Sequence, residues 1–328
     1  KYYLLMISHV WAPGRHRRQV CYRADDIHGP YEKKVILQSD FDKAGYVGQG
    51  TIVDGNDGKW YGVIFQDRGG VGRILTHMPC RWIDGWPILG DDNGLVPAQM
   101  PQGGNEVKGT NLVTSDDFEN DKLNILWQWN HNPVDEAWSL TERKGFLRLK
   151  TNKVVPNLYE ARNTISQRME GPSCSAYVTL DLRHMKDGDR CGFAAFNGHS
   201  GVLTIARDGK DYTLTQSNTQ VHLTNREKAV TKVDEEIIEQ VNLKKAKTIQ
   251  LRIDADFNRG QDMATFYYRI GKGEWISIGK PYKMRFDYRL LFMGTRYAIF
   301  NYATKQSGGY VDVDEFEYDR EENWVIEK

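Results

Sequence analysis

The stretch GQGTIVDGNDGKWYGVIFQDRGGVGR, from Gly48 to Arg73, decides how the first part of this chain is read. A short apolar run, Thr51 to Val53, meets an Asn-Asp-Gly turn, and an aromatic and apolar run from Lys59 to Phe65 follows. Two such runs about a tight turn predict a pair of antiparallel strands. The second run stops in Gly69, Gly70 and Gly72 and delivers Arg73. Glycine turns where other residues clash, so these three leave open space around a guanidinium. Space beside a fixed cation suits a small polar ligand, and a salt bridge to Asp67 or Asp91 satisfies the same pattern.

Outward from that stretch the pattern repeats. KYYLLMI at Lys1 to Ile7 is echoed by KWYGVIF at Lys59 to Phe65, and each is followed by a turn and a further strand, QVCYRAD and GRILTHM. Small antiparallel sheets recurring on this scale mark a β-propeller, and two of them cannot close a ring. From about Gly90 the chain lapses into GDDNGLVPAQMPQGGNEVKGTN, which reads as a linker. Beyond it come GFLRLKT, SAYVTLDLR, CGFAAFN, GVLTIARDG, TIQLRIDAD, MATFYYRIG, EWISIG, LLFMG and GYVDVDEFEY, with hairpin signals RDGKD and IGKGE between some of them. Short strands at this spacing predict a two-sheet sandwich. KVDEEIIEQVN has a helix-like pattern, but its β-branched content favours strand or loop. The expected organisation is all-β: propeller blades over residues 1–108, the linker included, then a sandwich over 109–328.

Composition narrows the function. Lys and Arg number 44, equal to Asp and Glu, in a chain of 328 residues, so no long-range field favours nucleic acid or an anionic membrane. No apolar run is long enough to span a bilayer. Nine Trp and 17 Tyr fit a carbohydrate binder and fit a β-rich core equally well. The four cysteines show no CxxC spacing; they read as buried thiols, or as one bridge between Cys174 and Cys191 on nearby strands. The eight histidines form no ligand-spaced cluster, which argues against zinc.

GQGTIVDGNDGKWYGVIFQDRGGVGRI followed by RWIDGWPILGDDNG resembles the later blades of glycoside hydrolase family 43, five-bladed propeller enzymes that remove xylose or arabinose from plant polysaccharides. LWQWNHNPVDEAWSLTERKGFLRLKT, NTISQRMEGPSCSAYVTLDLRHMKDGD and RYAIFNYATKQSGGYVDVDEFEYD resemble the concanavalin A-like sandwich fused behind that propeller in the β-xylosidase branch. The resemblance implies a partial five-bladed propeller followed by a concanavalin A-like jelly roll. It also implies inverting hydrolysis, in which a base activates water and an acid about 6.5–9.5 Å away protonates the leaving oxygen. The family takes its base, its acid and the Asp that orients the acid from segments that would lie upstream of Lys1. No carboxylate of this chain therefore inherits a catalytic role, and Asp25, Asp26, Asp54 and Asp57 read as solvated turn residues.

The same resemblance supplies binding candidates. Arg73 stands where the family places an arginine that hydrogen-bonds the sugar, and a rigid five-donor fork suits vicinal hydroxyls. Gln49 stands where many relatives carry a histidine near an ion or water cluster on the propeller axis. It serves there as an axial polar anchor or as a satisfied turn amide, and as a poorer metal ligand than imidazole it weakens the case for an axial ion. Trp11 opens the loop after the first echo strand, where an indole face can stack on a pyranose or pack the loop. In VDVDEF, Asp314 is a candidate ligand for a structural calcium, against the plainer reading of a solvated acidic edge strand. No other cofactor is implied. The expected partner is a xylo- or arabino-oligosaccharide, with no nucleic acid, and the family setting implies secretion or a periplasmic location. The alternative is a non-catalytic carbohydrate-binding protein that works through its sandwich.

Overall fold

The computed structural model describes residues 1–10, 16–101, 111–244 and 246–321. The chain divides into two compact units, Lys1–Arg68 with Gly72–Gly109, and Gly69–Val71 with Thr110–Trp324.

The first unit holds seven strands: β1 (Tyr2–Val10), β2 (His16–Ala24), β3 (Glu32–Leu37), β4 (Gly50–Asp54), β5 (Trp60–Asp67), β6 (Arg73–Ile83) and β7 (Trp86–Leu89). They form two antiparallel meanders, β1-β2-β3 and β4-β5-β6-β7. The two runs quoted first are β4 and β5, paired from Gly50 against Ile64 to Asp54 against Trp60. The echo is structural as well: β1 and β5 each lead into a long antiparallel partner, β2 and β6. Among the described residues β4 has no counterpart in the first meander. Both sheets share one core of Cys21, Ile36, Val47, Ile64, Met78, Trp86 and Leu89. The outer positions of β1 leave Tyr2, Leu4 and Met6 about half exposed.

The second unit is a sandwich. Its strands are β8 (Gln128–Trp129), β9 (Trp138–Ser139), β10 (Leu147–Lys150), β11 (Ile165–Arg168), β12 (Ser173–Asp181), β13 (Asp189–Phe196), β14 (His199–Asp208) and β15 (Asp211–Leu223). They continue with β16 (Val230–Lys244), β17 (Thr248–Asp256), β18 (Met263–Arg269), β19 (Ile276–Ser277), β20 (Tyr282–Lys283), β21 (Arg296–Ala303) and β22 (Tyr310–Arg320). One sheet runs β19-β18-β17-β12-β22-β10-β9, with β20 pairing β18, and the other runs β16-β15-β14-β13-β21-β11-β8. Alternate residues of both inner faces, among them Val178, Leu251, Phe316, Phe193, Leu203 and Tyr297, are fully buried. Tyr297 sets the spacing there: its ring stacks on Phe193 at 5.5 Å, and its hydroxyl donates to Cys174 O at 3.0 Å across the sandwich.

KVDEEIIEQVN lies within β16, a strand as expected. LLFMG does not form a strand; Leu291 and Met293 instead pack against a second apolar cluster. That cluster, with Leu158, Ala161, Ala194, Phe196, Val202, Ala298 and Phe300, lies on the outer face of the seven-stranded sheet. β13 and β21 are therefore buried on both faces, which is why CGFAAFN reads as a continuous apolar run. The hairpin signal RDGKD is a two-residue turn between β14 and β15, with Gly209 at φ +63°. All four cysteines are buried free thiols. Cys174 and Cys191 lie in opposite sheets, so the bridge expected as one alternative is absent. Burial pushes the Cys21 and Cys80 thiols up to about 11, which leaves them weak nucleophiles.

The two carboxylates of VDVDEF separate sharply. Asp312 is 1% exposed and accepts from Arg148 Nε at 2.7 Å and from Arg143 Nη1 at 3.0 Å. Asp314 is exposed on β22, and among the described residues no group of three or more His, Cys, Asp or Glu gathers that could hold a metal. Burial alone would raise the Asp312 carboxyl, but the two guanidiniums outweigh it and hold the group low. Its folded pKa lies below its unfolded value, so its contribution is complete above the unfolded carboxylate range and is lost as pH falls through the folded pKa. Asp312→Ala should cost about 3 kcal/mol, because it removes the buried carboxylate shared by Arg143 and Arg148 and leaves Arg148 only the more exposed Glu142. Urea unfolding at neutral pH and again near pH 3 checks this, with the difference between parent and variant shrinking in acid.

Candidate functional site

The turn Gly48–Gln49–Gly50 is the hub of the first unit. Gly48 N donates to Phe65 O at 3.0 Å, and Phe65 N donates to Gln49 O at 3.1 Å, so the turn is clamped to β5. A Cβ at Gly50 would collide with Val63 O and come within 2.8 Å of Ile64 Cα, and one at Gly48 would press on Arg17 at 3.1 Å. Only glycine fits at position 50, a side chain at 48 would crowd Arg17 and Ile7, and Gln49 itself has φ +74°. The Gln49 amide donates to Gln19 Oε1 at 2.7 Å, and its side chain is exposed.

Beside this turn, Phe65 carries two guanidiniums. Arg73 lies with its Cζ 4.0 Å from the ring centroid, and Arg17 with its Cζ 5.9 Å away. Both reach one carboxylate: Arg73 Nε donates to Asp67 Oδ1 at 3.1 Å, and Arg17 Nη2 pairs with Asp67 Oδ2. The sequence alternatives for Arg73 included an ion pair with Asp67 or Asp91, and Asp67 is the partner found. The Arg73 side chain is 29% exposed, so the pair sits at the surface. Arg17 Nη1, Gln19 Nε2 and Gln66 Oε1 are buried without a hydrogen-bond partner among the described residues.

The glycines before Arg73 have a different reason from the one first read. Gly69 has φ +59°, and a Cβ there would overlap the Asp262 carboxylate; one at Gly70 would lie 2.8 Å from Met284 Cβ. Gly69–Val71 belongs with the second unit, where Gly70 N donates to Asp262 Oδ1 at 2.9 Å. Close approach to Asp262 and Met284, and not clearance about a guanidinium, therefore demands glycine at positions 69 and 70.

The turn carboxylates are tied to their own loops. Asp26 accepts from His28 N at 2.8 Å, Asp57 from Tyr61 Oη at 2.7 Å, and Asp25 pairs with Lys1 at 2.9 Å. Lys1 lowers the Asp25 carboxyl, the His28 amide that of Asp26, and the Tyr61 hydroxyl that of Asp57. A general acid needs the opposite shift. Trp11 lies outside the described residues, and Asp314 lies in the sandwich, in the other unit. The structure thus brings Arg73 and Gln49 together through Phe65, and it adds Arg17 and Gln19, which sequence reading passed over. Their signal was the polar run HRRQ inside a strand whose neighbours are apolar.

The turn at 48–50 thus clamps Phe65, and Arg17 and Arg73 are held over its ring, in a chain of propeller blades and a sandwich. Residues 115–319 match the family model for the beta xylosidase C-terminal concanavalin A-like domain. A beta-xylosidase of Formosa agariphila is 30% identical over 346 residues, covering 94% of this chain and 54% of that protein. A putative beta-xylosidase of Xylanibacter ruminicola is 38% identical over 207 residues, covering 56% of this chain and 39% of its own length. Among solved structures, a bifunctional GH43-CE protein of Bacteroides eggerthii superposes with a TM-score of 0.84 at 34% identity, covering 98% of this chain and 40% of that one. The chain belongs to glycoside hydrolase family 43, in its β-xylosidase branch with a concanavalin A-like C-terminal domain. It spans about half or less of the length of these curated relatives.

Asp67 holds two arginines that would otherwise repel each other over one ring. Asp67→Asn should cost about 1–2 kcal/mol and loosen both guanidiniums, since the pair is partly screened at the surface. The check is a melting curve at low and high salt, with the gap between parent and variant narrowing as salt rises.

Proposed function

We propose that this chain is part of a glycoside hydrolase that removes xylose or arabinose from plant polysaccharides or oligosaccharides by inversion, and that it contributes sugar binding and not proton transfer. The observation that carries this reading is the donor cluster around Phe65: Arg17 and Arg73 on one carboxylate, with buried Gln19 two positions along the strand from Arg17 and its Nε2 unpaired among the described residues. Guanidiniums and amides offer fixed donors to hydroxyls, but an arginine that stays protonated cannot act as acid or base. Relatives named beta-xylosidase, and one named non-reducing end alpha-L-arabinofuranosidase from Bacteroides ovatus, support the substrate class. In this reading Arg73 binds the sugar in the innermost pocket, Gln49 anchors the axis and Trp11 stacks on the sugar face. The substrate is an oligosaccharide met outside the cytoplasm. No cofactor takes part. A calcium at Asp314 does not fit the residues present, because the nearby Asp312 is committed to Arg143 and Arg148.

The chain alone should not turn over aryl β-xylosides or aryl α-arabinofuranosides, since acid and base assistance contributes typically ~10²–10⁴-fold each. Turnover by the purified chain that survives substitution of Asp25, Asp26, Asp54 and Asp57 would overturn this assignment.

In the protein with its propeller complete, Arg73→Ala should lower kcat/KM by roughly 10- to 150-fold, the effect of losing charge-assisted hydrogen bonds of about 1.5–3 kcal/mol. Arg73→Lys should recover only part, because a point charge cannot reproduce the fork. Melting temperature should move little, since Arg17 still holds Asp67. Near-normal turnover in Arg73→Ala would return Arg73 to a purely structural ion pair.

A further inference from the structure

The outer face of the seven-stranded sheet carries a cavity of about 360 Å³, entirely within the sandwich. It begins where the second apolar cluster ends, toward β15 and β16. Its floor is apolar, from Val202 and Val221, and Tyr302 and Tyr159 contribute aromatic rings. Thr204 and Glu235 contribute polar groups. A volume in the lower part of the usual small-ligand range, about 300–1,000 Å³, suits one or two sugar rings.

Three features select the ligand chemistry. An apolar floor with aromatic rings matches the C–H faces of a sugar, and hydroxyls and a carboxylate match its rim. The charges present are already engaged: Lys232 pairs with Asp234 at 2.6 Å, and Glu160 accepts from Asn157 Nδ2 at 3.0 Å. Among the described residues that line the cavity, no cation is thus left to draw in an anion. Glu235 takes the Ser217 hydroxyl at 2.8 Å on Oε1, which fixes the carboxylate and leaves its second oxygen as an acceptor. The Tyr302 hydroxyl makes no hydrogen bond to a described residue, and burial, with Glu235 nearby, pushes its pKa up to about 12. It therefore stays a proton donor over the whole working range.

We propose that this outer-face cavity is a second, non-catalytic binding site for a neutral oligosaccharide, with Tyr302 donating to and Glu235 accepting from sugar hydroxyls. The site is independent of the cluster around Phe65, and it would hold the chain on its polymer between turnovers. Affinity there needs no glycosidase activity, so either reading can fail alone.

The test is calorimetric titration of the 328-residue chain with xylotriose, with cellotriose and with trigalacturonate as an anionic control. A neutral trisaccharide should bind saturably and the anion should not. Tyr302→Phe, which keeps the ring and its packing, should weaken binding about 5-fold, and Glu235→Gln about 10-fold. Absence of saturable binding by either neutral sugar, preference for the anion, or unchanged affinity in both cavity variants would each overturn the proposal.

Discussion

Burial of the middle of the seven-stranded sheet on both faces is the constraint from which most of the sandwich follows. β13 and β21 have one face in the inter-sheet core and the other under Leu158, Ala161, Leu291 and Met293. The middle of a strand in that position has no solvent face for polar side chains, so Gly192 to Phe196 and Ala298 to Phe300 are apolar or small, and the polar residues Asp189, Arg190, Arg296 and Asn301 stand toward the strand ends. Gly192 shows how tight the fit is, since a Cβ there would overlap Leu203 O and lie 2.9 Å from Phe300. The same cover pins two segments that would otherwise be loose loops, residues 155–161 and 291–293. Where the cover stops, the sheet continues as β15 and β16, and the unfilled step between them and the outer cluster is the cavity.

The first unit meets the opposite demand, because it keeps polar groups where apolar ones would pack better. Gln19 and Gln66 are buried, and two arginines converge on Asp67 above Phe65. Taking such groups from water costs free energy unless hydrogen bonds or a ligand compensate. The Gly48–Gly50 turn supplies part of that compensation through backbone groups, and it fixes Phe65 from both sides. Rigidity of this kind is what a binding surface for hydroxyl groups requires, since a donor that must first be ordered loses affinity to entropy.

Much of this was legible in the residues. Alternation and turn chemistry located β4, β5, β10, β12, β14, β17, β18 and β22, and the echo between Lys1 and Lys59 located β1 and β5. LLFMG misled because a short apolar run looks alike whether it pairs as a strand or folds over one. DYTLTQSNTQVHL, most of it hydroxyl and amide side chains, gave no strand signal, yet it is the 13-residue β15. Its pairing with β14 and β16 satisfies the backbone regardless of side-chain pattern. Arg73 was singled out by the glycines before it, and Gln49 by the family resemblance. Arg17 was missed because its role depends on a carboxylate 50 residues away, which no local pattern connects. The reason for Gly69 and Gly70 was also hidden, because Asp262 and Met284 approach them from far along the sequence.

The long strand β16 has a consequence for life in a crowded solution. It forms one edge of its sheet, the place where another polypeptide could extend the hydrogen-bond ladder. Asp234, Glu235, Glu236 and Glu239 stud that border, and its pairing to β15 is interrupted by register shifts. A neighbour aligning the same border would set carboxylate against carboxylate on a ribbon that is not straight. The sandwich therefore guards its open flank by charge and by irregularity.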